Sequence, residues 1–273
     1  MRVPSLRLRA ARWLTDIVLF RAAHRVLLAR SIRMTDGSEL RWLGPEFRAF
    51  RVRMKARRAC LPPMRNPPRH FGNLLLVDLV ETTLAANIAL RDMGVAGPVA
   101  QEVVADIGWV VYAKMLKACS LPFRLTSRDP ARRLERTVRM LLRFPFAAPG
   151  APGYAVSTRM RDGAILTHFT HCPPHTRVRQ LAGHTGDRAL LDVFRVSWCR
   201  YDWPGADLIA SDGARGHYRR NGTLSHGDKV CDMCWSAAPL PASPGAQKSL
   251  AAAGENANSD DHAPRRGRPR TCL

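Results

Sequence analysis

The side chains of this chain that are best suited to chemistry lie in its second half. Three cysteines, Cys172, Cys199 and Cys231, are spread through that half, and two of them are followed within three residues by an aspartate, Asp202 or Asp232. A thiolate is a nucleophile, and a carboxylate whose pKa is raised by partial burial can act as a general base. Free cysteine is also among the most buried residue types, so the same thiols can serve as small core side chains.

Arg220 and Cys231 lie on opposite sides of a turn sequence, His226-Gly227-Asp228. Short alternating runs flank the turn and predict two strands, residues 215–225 and 229–237. Antiparallel pairing would place these strands side by side. We therefore predict that Arg220, Cys231 and Asp232 lie near Cys172, Cys199 and Asp202, around one pocket between a sheet and helices.

Three elements of this stretch resemble the L-2-amino-thiazoline-4-carboxylic acid hydrolase family. They are a single cysteine on a strand (Cys172), a Cys-x-x-Asp after a helix (Cys199–Asp202), and a terminal R-x-x-T-L-x-x-G-x-x-x-C-D strand pair (Arg220–Asp232). The last element is the most specific, because it fixes six residue types over thirteen positions. One departure is Met233, where the family usually has an aromatic residue. The resemblance implies an α+β domain over residues 70–237.

The resemblance also implies a reaction, the hydrolytic opening of a small cyclic C=N substrate. Water would attack the carbon between ring sulfur and nitrogen and give an N-carbamoyl thiol. Such chemistry needs a base, a proton donor and a cation for the substrate carboxylate. Asp202 or Asp232 would be the base, one of the three thiols could be a nucleophile, and Arg220 would bind the carboxylate through two parallel hydrogen bonds. Thr223 is the second expected substrate-binding residue.

A metal site is the competing interpretation of the cysteines, because Cys231 and Cys234 are spaced as C-x-x-C. Residues three apart on a regular strand point to opposite faces, so this pair would chelate only where the backbone turned. His168 and His171 have the same spacing. We therefore predict no metal and no cofactor.

The elements that must position these residues are helices first and strands later. Helical periodicity predicts helices over Phe71–Met93 and Pro98–Cys119, and Asp129-Pro130 is a typical helix start. Tyr154–Met160 and Ala164–His171 flank Arg-Asp-Gly and predict a hairpin, and residues 174–199 predict helix in two pieces. This order favours an α+β fold with N-terminal helices packed on a C-terminal antiparallel sheet, with helices intervening.

The formal net charge of +21 is concentrated at the ends of the chain. Residues 1–60 carry a net charge of +11 and predict a basic helical N-terminal extension, followed by a proline-rich linker at 58–70. The helix expected over residues 5–33 could pack on the domain with a solvated arginine face, or bind an anionic membrane surface or nucleic acid. Residues 238–273 end in an Arg-rich segment and predict a disordered basic tail. An odd number of cysteines and no apolar run long enough to span a membrane favour a cytoplasmic protein.

Three functions remain open at this point. The first is a hydrolase acting on non-peptide C–N bonds of a small molecule. The second is a small-molecule-binding module, because the order of helices and sheet is also similar to vinyl-reductase-type sensor domains. The third is a nucleic-acid binder acting through its basic ends, although no recognised module supports specific binding. The sequence leaves the oligomeric state open.

Overall fold

Helices dominate the N-terminal half of the protein, and a four-stranded sheet follows them. A computed structural model describes residues 6–237, so the tail predicted over 238–273 lies outside the described residues. The predicted α+β class is confirmed. The elements are α1 (Leu6–Leu28), β1 (Ser31–Arg33), β2 (Glu39–Arg41), α2 (Gly44–Ala59), α3 (Phe71–Asp92), α4 (Gly97–Thr126), α5 (Pro130–Arg143), β3 (Ala155–Arg161), β4 (Ala164–His171), α6 (Pro173–Thr185), α7 (Ala189–Val196), α8 (Asp202–Ala210), β5 (Tyr218–Arg220) and β6 (Cys231–Trp235).

Helix α3 is the central element of the helical half. Its length and composition would let it cross a membrane, but 67% of the relevant stretch is buried inside the molecule. It also carries four fully or nearly buried polar side chains, those of Asn73, Asp78, Thr82 and Asn87. Helix α3 therefore packs against other parts of the protein over most of this stretch.

The N-terminal helices α1 and α2 pack against α3, as in the interpretation of residues 5–33 as a helix packed on the domain at 70–237. Leu27 and Phe50 are buried in the same hydrophobic cluster as Val80 and Leu84 of α3. Asp78 of α3 forms ion pairs with both N-terminal helices. Its Oδ1 lies 2.5 Å from Nη2 of Arg12 on α1, and its Oδ2 lies 2.5 Å from Nη2 of Arg58 on α2. Apolar burial and a shared buried carboxylate therefore join α1 and α2 to the rest of the core.

Helices α4 and α5 follow the sequence prediction with one correction. The predicted end of α4 at Cys119 is too early, because the helix continues through Pro122 to Thr126. The start of α5 is as predicted: the Asp129 carboxylate accepts a hydrogen bond of 2.9 Å from the backbone N–H of Ala131 and caps the helix.

The C-terminal sheet has the strand order β3-β4-β6-β5 and is antiparallel throughout. The β3–β4 hairpin is confirmed, and β5 pairs with β6 with Arg220 opposite Met233. The predicted strand over 215–225 is wrong in its extent. β5 ends at Arg220, and a 3₁₀ turn over Leu224–His226 replaces the rest of that strand.

Candidate functional site

A cavity of about 180 Å³ lies between the sheet and helices α3, α4, α5 and α8. Most of its wall is apolar, from residues such as Leu76, Val111, Leu141 and Ile209. Six of the seven predicted site residues line it: Cys172, Cys199, Asp202, Arg220, Thr223 and Cys231. Pockets that are apolar overall and hold a few convergent polar groups are the usual form of small-molecule sites.

A buried ion pair forms the polar part of the wall. Asp202 is the first residue of α8, and its Oδ2 accepts a hydrogen bond of 3.2 Å from Nη1 of Arg220, at the end of β5. Nη2 of Arg220 donates to the carbonyl of Cys199 at 2.9 Å, and the guanidinium carbon lies 4.7 Å from the ring centroid of Trp203. Only 6% of the Arg220 side chain is exposed. The arginine is therefore fixed on three sides.

The carboxyl group of Asp202 has a raised pKa. Burial raises the pKa of its carboxyl to about 6, although the Arg220 charge and a hydrogen bond from the Tyr218 hydroxyl oppose that rise. The hydroxyl lies 3.3 Å from Oδ2 of Asp202. A carboxylate with a pKa near 6 is mostly ionised at neutral pH and accepts a proton more readily than an exposed aspartate does.

A line of hydrogen-bonded side chains runs from Cys199 to Cys231 along the same wall. The Cys199 thiol donates to Oγ of Ser225 at 3.3 Å, Oγ of Ser225 lies 3.3 Å from Oγ1 of Thr223, and Oγ1 of Thr223 lies 3.3 Å from Sγ of Cys231. The backbone N–H of Leu224 also donates to Sγ of Cys231, at 3.2 Å. The 3₁₀ turn after β5 thus connects the two thiols.

The thiols of the wall are held in their neutral form. Burial raises the pKa of Cys199 to about 11, despite the hydrogen bond with Ser225 and the nearby Arg220 charge. Burial also raises the pKa of Cys172 and of Cys231 above that of a free thiol. Because the thiolate is the reactive species, these cysteines are poor nucleophiles at neutral pH.

Asp232, the seventh predicted residue, lies outside the cavity wall and stabilises the turn. Its Oδ1 accepts hydrogen bonds from the backbone N–H groups of Asn221 (2.9 Å) and Gly222 (2.6 Å), and its Oδ2 accepts from the Asn221 side chain at 3.1 Å. Asp228 holds the N–H of Thr223 in the same manner, at 2.7 Å. These two carboxylates explain why the strand ends at Arg220: they bind backbone donors that a longer strand would use in the sheet.

Cys231 and Cys234 lie on different sides of β6. Cys231 lines the cavity, whereas Cys234 pairs with Leu166 and Arg219 across the sheet and is absent from the cavity wall. Within residues 6–237, no group of three or more His, Cys, Asp or Glu side chains is arranged to hold a metal ion.

The sequence reasoning missed the aromatic and imidazole side chains of the wall. Tyr112, Tyr154 and Tyr201 line the cavity, and so does His175, whose pKa burial lowers to about 4. They come from segments far apart in the chain, so no local pattern pointed to them. Tyr218 is absent from the cavity wall, but its hydroxyl contacts Asp202. It could have been found, because residues two apart on a strand share a face and it precedes Arg220 by two.

Tyr154 is positioned by α3 through a buried amide. Oδ1 of Asn73 accepts from the backbone N–H of Tyr154 at 3.3 Å, and Nδ2 of Asn73 donates to the carbonyl of Pro145 at 2.7 Å. One side chain of α3 thus fixes both ends of the loop between α5 and β3 against the cavity.

No family model matches the chain, and comparisons with curated proteins and with solved structures found no match either.

Proposed function

We propose that this protein binds a small organic molecule in the cavity and opens its ring by adding water to a C=N bond, with Asp202 as the general base. The observation that carries the proposal is the buried Asp202 carboxylate at the wall of an otherwise apolar cavity, with a pKa raised to about 6. Such a carboxylate combines a substantial ionised fraction at neutral pH with a proton affinity that favours proton abstraction. The resemblance of the Cys199–Asp202 and Arg220–Asp232 motifs to L-2-amino-thiazoline-4-carboxylic acid hydrolases supports the same chemistry.

The proposed reaction consumes water and no other reactant. Asp202 takes a proton from water while the water oxygen bonds to the carbon between ring sulfur and ring nitrogen. Asp202 then gives that proton to the ring nitrogen. The carbon–sulfur bond then breaks, its electron pair stays on sulfur, and the proton of the new hydroxyl passes to the sulfur. The product is an N-carbamoyl thiol, and the Asp202 carboxylate is regenerated.

The contacts of Arg220 favour a role different from the expected one, a clamp that binds the substrate carboxylate through two hydrogen bonds. Both terminal nitrogens already donate, one to Asp202 and one to the Cys199 carbonyl. A substrate carboxylate would compete with Asp202 for the guanidinium and raise the proton affinity of Asp202 further. We assign Arg220 to keeping Asp202 ionised at neutral pH, which makes it a positioning residue.

Ring-opening assays test the proposal. The probes are L-2-amino-thiazoline-4-carboxylate and 2-amino-thiazoline, which lacks the carboxylate. We expect the wild type to open both rings and Asp202→Asn to lose about 100-fold or more in kcat, the usual contribution of a general base, with ligand affinity retained. Cys199→Ala is expected to keep most of the activity, because its thiol is protonated.

Each outcome assigns a role. No ring opening of either probe by the wild type, or full activity in Asp202→Asn, contradicts the proposed hydrolysis. A loss in Cys199→Ala as large as that in Asp202→Asn would make the thiol the nucleophile. A strong preference for the carboxylate probe that disappears in Arg220→Gln would restore the clamp role.

Binding without catalysis is the second candidate function. Its support is the apolar cavity wall with three protonated thiols, which suits a ligand that is held and left unchanged. Calorimetric binding of either probe, with no ring opening by the wild type, would favour this function.

A further inference from the structure

Helix α1 is apolar on two faces, and only one of them is buried. Ala22 and Leu27 are packed in the core, whereas Leu6 is 80%, Trp13 64% and Leu14 57% exposed. Leu6 and Trp13 lie two turns apart and Leu14 directly follows Trp13, so the three form an apolar stripe on the N-terminal half of α1. Large exposed apolar side chains that lie together are a sign of an interaction surface.

Helix α2 places cations over Phe20, which lies two turns after Trp13 on α1. Arg51 and Lys55 lie over the ring of Phe20 of α1, with the Arg51 guanidinium carbon 4.6 Å and the Lys55 nitrogen 5.5 Å from its centroid. Arg21 and Arg48 are exposed on the same two helices. Together with Arg25, which is also exposed, these cations form what we call the basic face: Arg21, Arg25, Arg48, Arg51 and Lys55.

The carboxylates of α1 and α2 have other partners, so they do not neutralise the positive charge of the basic face. Asp16 lies 3.5 Å from Arg58, and Glu46 accepts the backbone N–H of Leu43 at 2.9 Å. Within residues 6–237, the cations of the basic face form no ion pair with a carboxylate. An anionic partner would therefore meet positive charge that the protein itself does not neutralise.

We infer that the outer face of α1 and the basic face dock onto the surface of an anionic lipid bilayer. Lipid headgroups supply the negative charge for the cations, and the adjoining acyl region takes up Trp13, Leu14 and Leu6. Tryptophan prefers this boundary because its ring is amphipathic. A nucleic acid would neutralise the cations but offers no apolar layer for the leucines, so lipid fits the whole surface better.

Vesicle sedimentation of the full chain tests the inference. We expect binding to vesicles of phosphatidylcholine mixed with phosphatidylserine, weak binding to phosphatidylcholine alone, and weaker binding as salt is added. The triple variant Arg48→Gln/Arg51→Gln/Lys55→Gln should lose about 100-fold in affinity for the mixed vesicles, because each cation near an anionic surface contributes about fivefold.

A matched control separates this face from net charge. Arg159→Gln/Arg215→Gln/Lys229→Gln removes the same types and number of exposed cations from other parts of the molecule. It should keep nearly all of the affinity. Trp13→Ser should weaken binding to the mixed vesicles, whereas Met160→Ser, which changes another exposed apolar residue, should not.

Four results would overturn the inference. They are equal binding to neutral and anionic vesicles, no binding to either, an equal loss in the control triple, and unchanged lipid binding in Trp13→Ser. Loss of duplex DNA binding in the Arg48 triple, with lipid binding intact, would assign the surface to nucleic acid. A dimer in solution that Trp13→Ser dissociates, again with lipid binding intact, would assign it to a second copy of the chain.

Discussion

At the scale of residues, the candidate site depends on one carboxyl group and its partners. Asp202 is the last residue of a Cys-x-x-Asp sequence, but its acidity is set by burial, by Arg220 and by Tyr218. Asp232 follows a cysteine in the same manner, yet it binds backbone N–H groups of the turn. Two aspartates with similar sequence surroundings thus have different tasks, because only one of them faces the cavity.

The pKa of Asp202 makes a prediction about stability. In the native state the pKa is about 6, above the value of 3.8 for the free carboxyl. Between about pH 4 and 6, Asp202 is therefore protonated in the native protein and ionised in the unfolded chain. Because the native state binds the extra proton, the free energy of unfolding falls as pH rises through that window. Asp202→Asn does not titrate, and its stability relative to wild type should rise by roughly 3 kcal/mol at most over the window.

Chemical denaturation of both proteins at the two ends of the window measures this difference. Asp162→Asn is the control, because the Asp162 side chain is 89% exposed in the β3–β4 turn. A constant difference between wild type and Asp202→Asn would show that Asp202 titrates normally. The rate of ring opening should fall as pH drops through about 6, because the base becomes protonated.

At the scale of elements, a close approach between α4 and the segment that enters α8 shapes the cavity. Oη of Tyr201 donates to the carbonyl of Ala105 at 2.7 Å, and the Tyr201 ring stacks on that of Tyr112 with 5.5 Å between centroids. A Cβ at Gly108 would lie 2.2 Å from that Oη. Gly108 thus permits the contact that places two tyrosines on the wall.

Gly108→Ala should therefore destabilise the protein, although alanine favours helices. We expect a loss of about 1–3 kcal/mol in the free energy of unfolding, since the Tyr201 ring must move. Gly183→Ala on α6 is the matched control, because a Cβ added there would meet nothing within 4 Å beyond its own helix. We expect the free energy of unfolding of this variant to rise by up to about 1 kcal/mol.

Thermal melts of both variants and of the double variant Gly108→Ala/Tyr201→Phe test this contact. Removal of the hydroxyl should recover part of the loss. Equal stability of the two alanine variants would mean that Tyr201 moves without cost and does not fix the wall.

At the scale of the whole molecule, the N-terminal helices are part of the domain and also carry its unbalanced charge. Their inner faces cover Val80 and Leu84, and their outer faces hold the basic face and the apolar stripe. Leu19 of α1 also lines the cavity. A single pair of helices therefore belongs to the core, to the candidate site and to the proposed membrane surface.

A fragment that begins at residue 61 should fail to fold. Without α1 and α2, the α3 core residues that they cover, Val80 and Leu84, become exposed, and both ion pairs of Asp78 are lost. Differential scanning calorimetry of this fragment should show no cooperative transition. A transition close to that of the full chain would instead support the division into an extension and a separate domain.

Local sequence determined the elements of this protein. The spacing of apolar residues predicted α3 and the start of α4, Asp129-Pro130 predicted the start of α5, and Asp-Gly predicted the β3–β4 hairpin. These signals act within one or two turns of chain, so they do not depend on the rest of the fold. The thiols and the Asp202–Arg220 pair were also expected near one another from the motif.

Tertiary structure alone decided what those residues do. The end of β5 at Arg220 results from side-chain carboxylates that bind backbone donors, and the tyrosines of the cavity come from separate segments. Burial raises the pKa of Asp202 and of the thiols, and burial depends on every element packed around the cavity. Amphipathic spacing already allowed α1 to pack on the domain, but only the tertiary structure showed that α1 and α2 both bury side chains against α3.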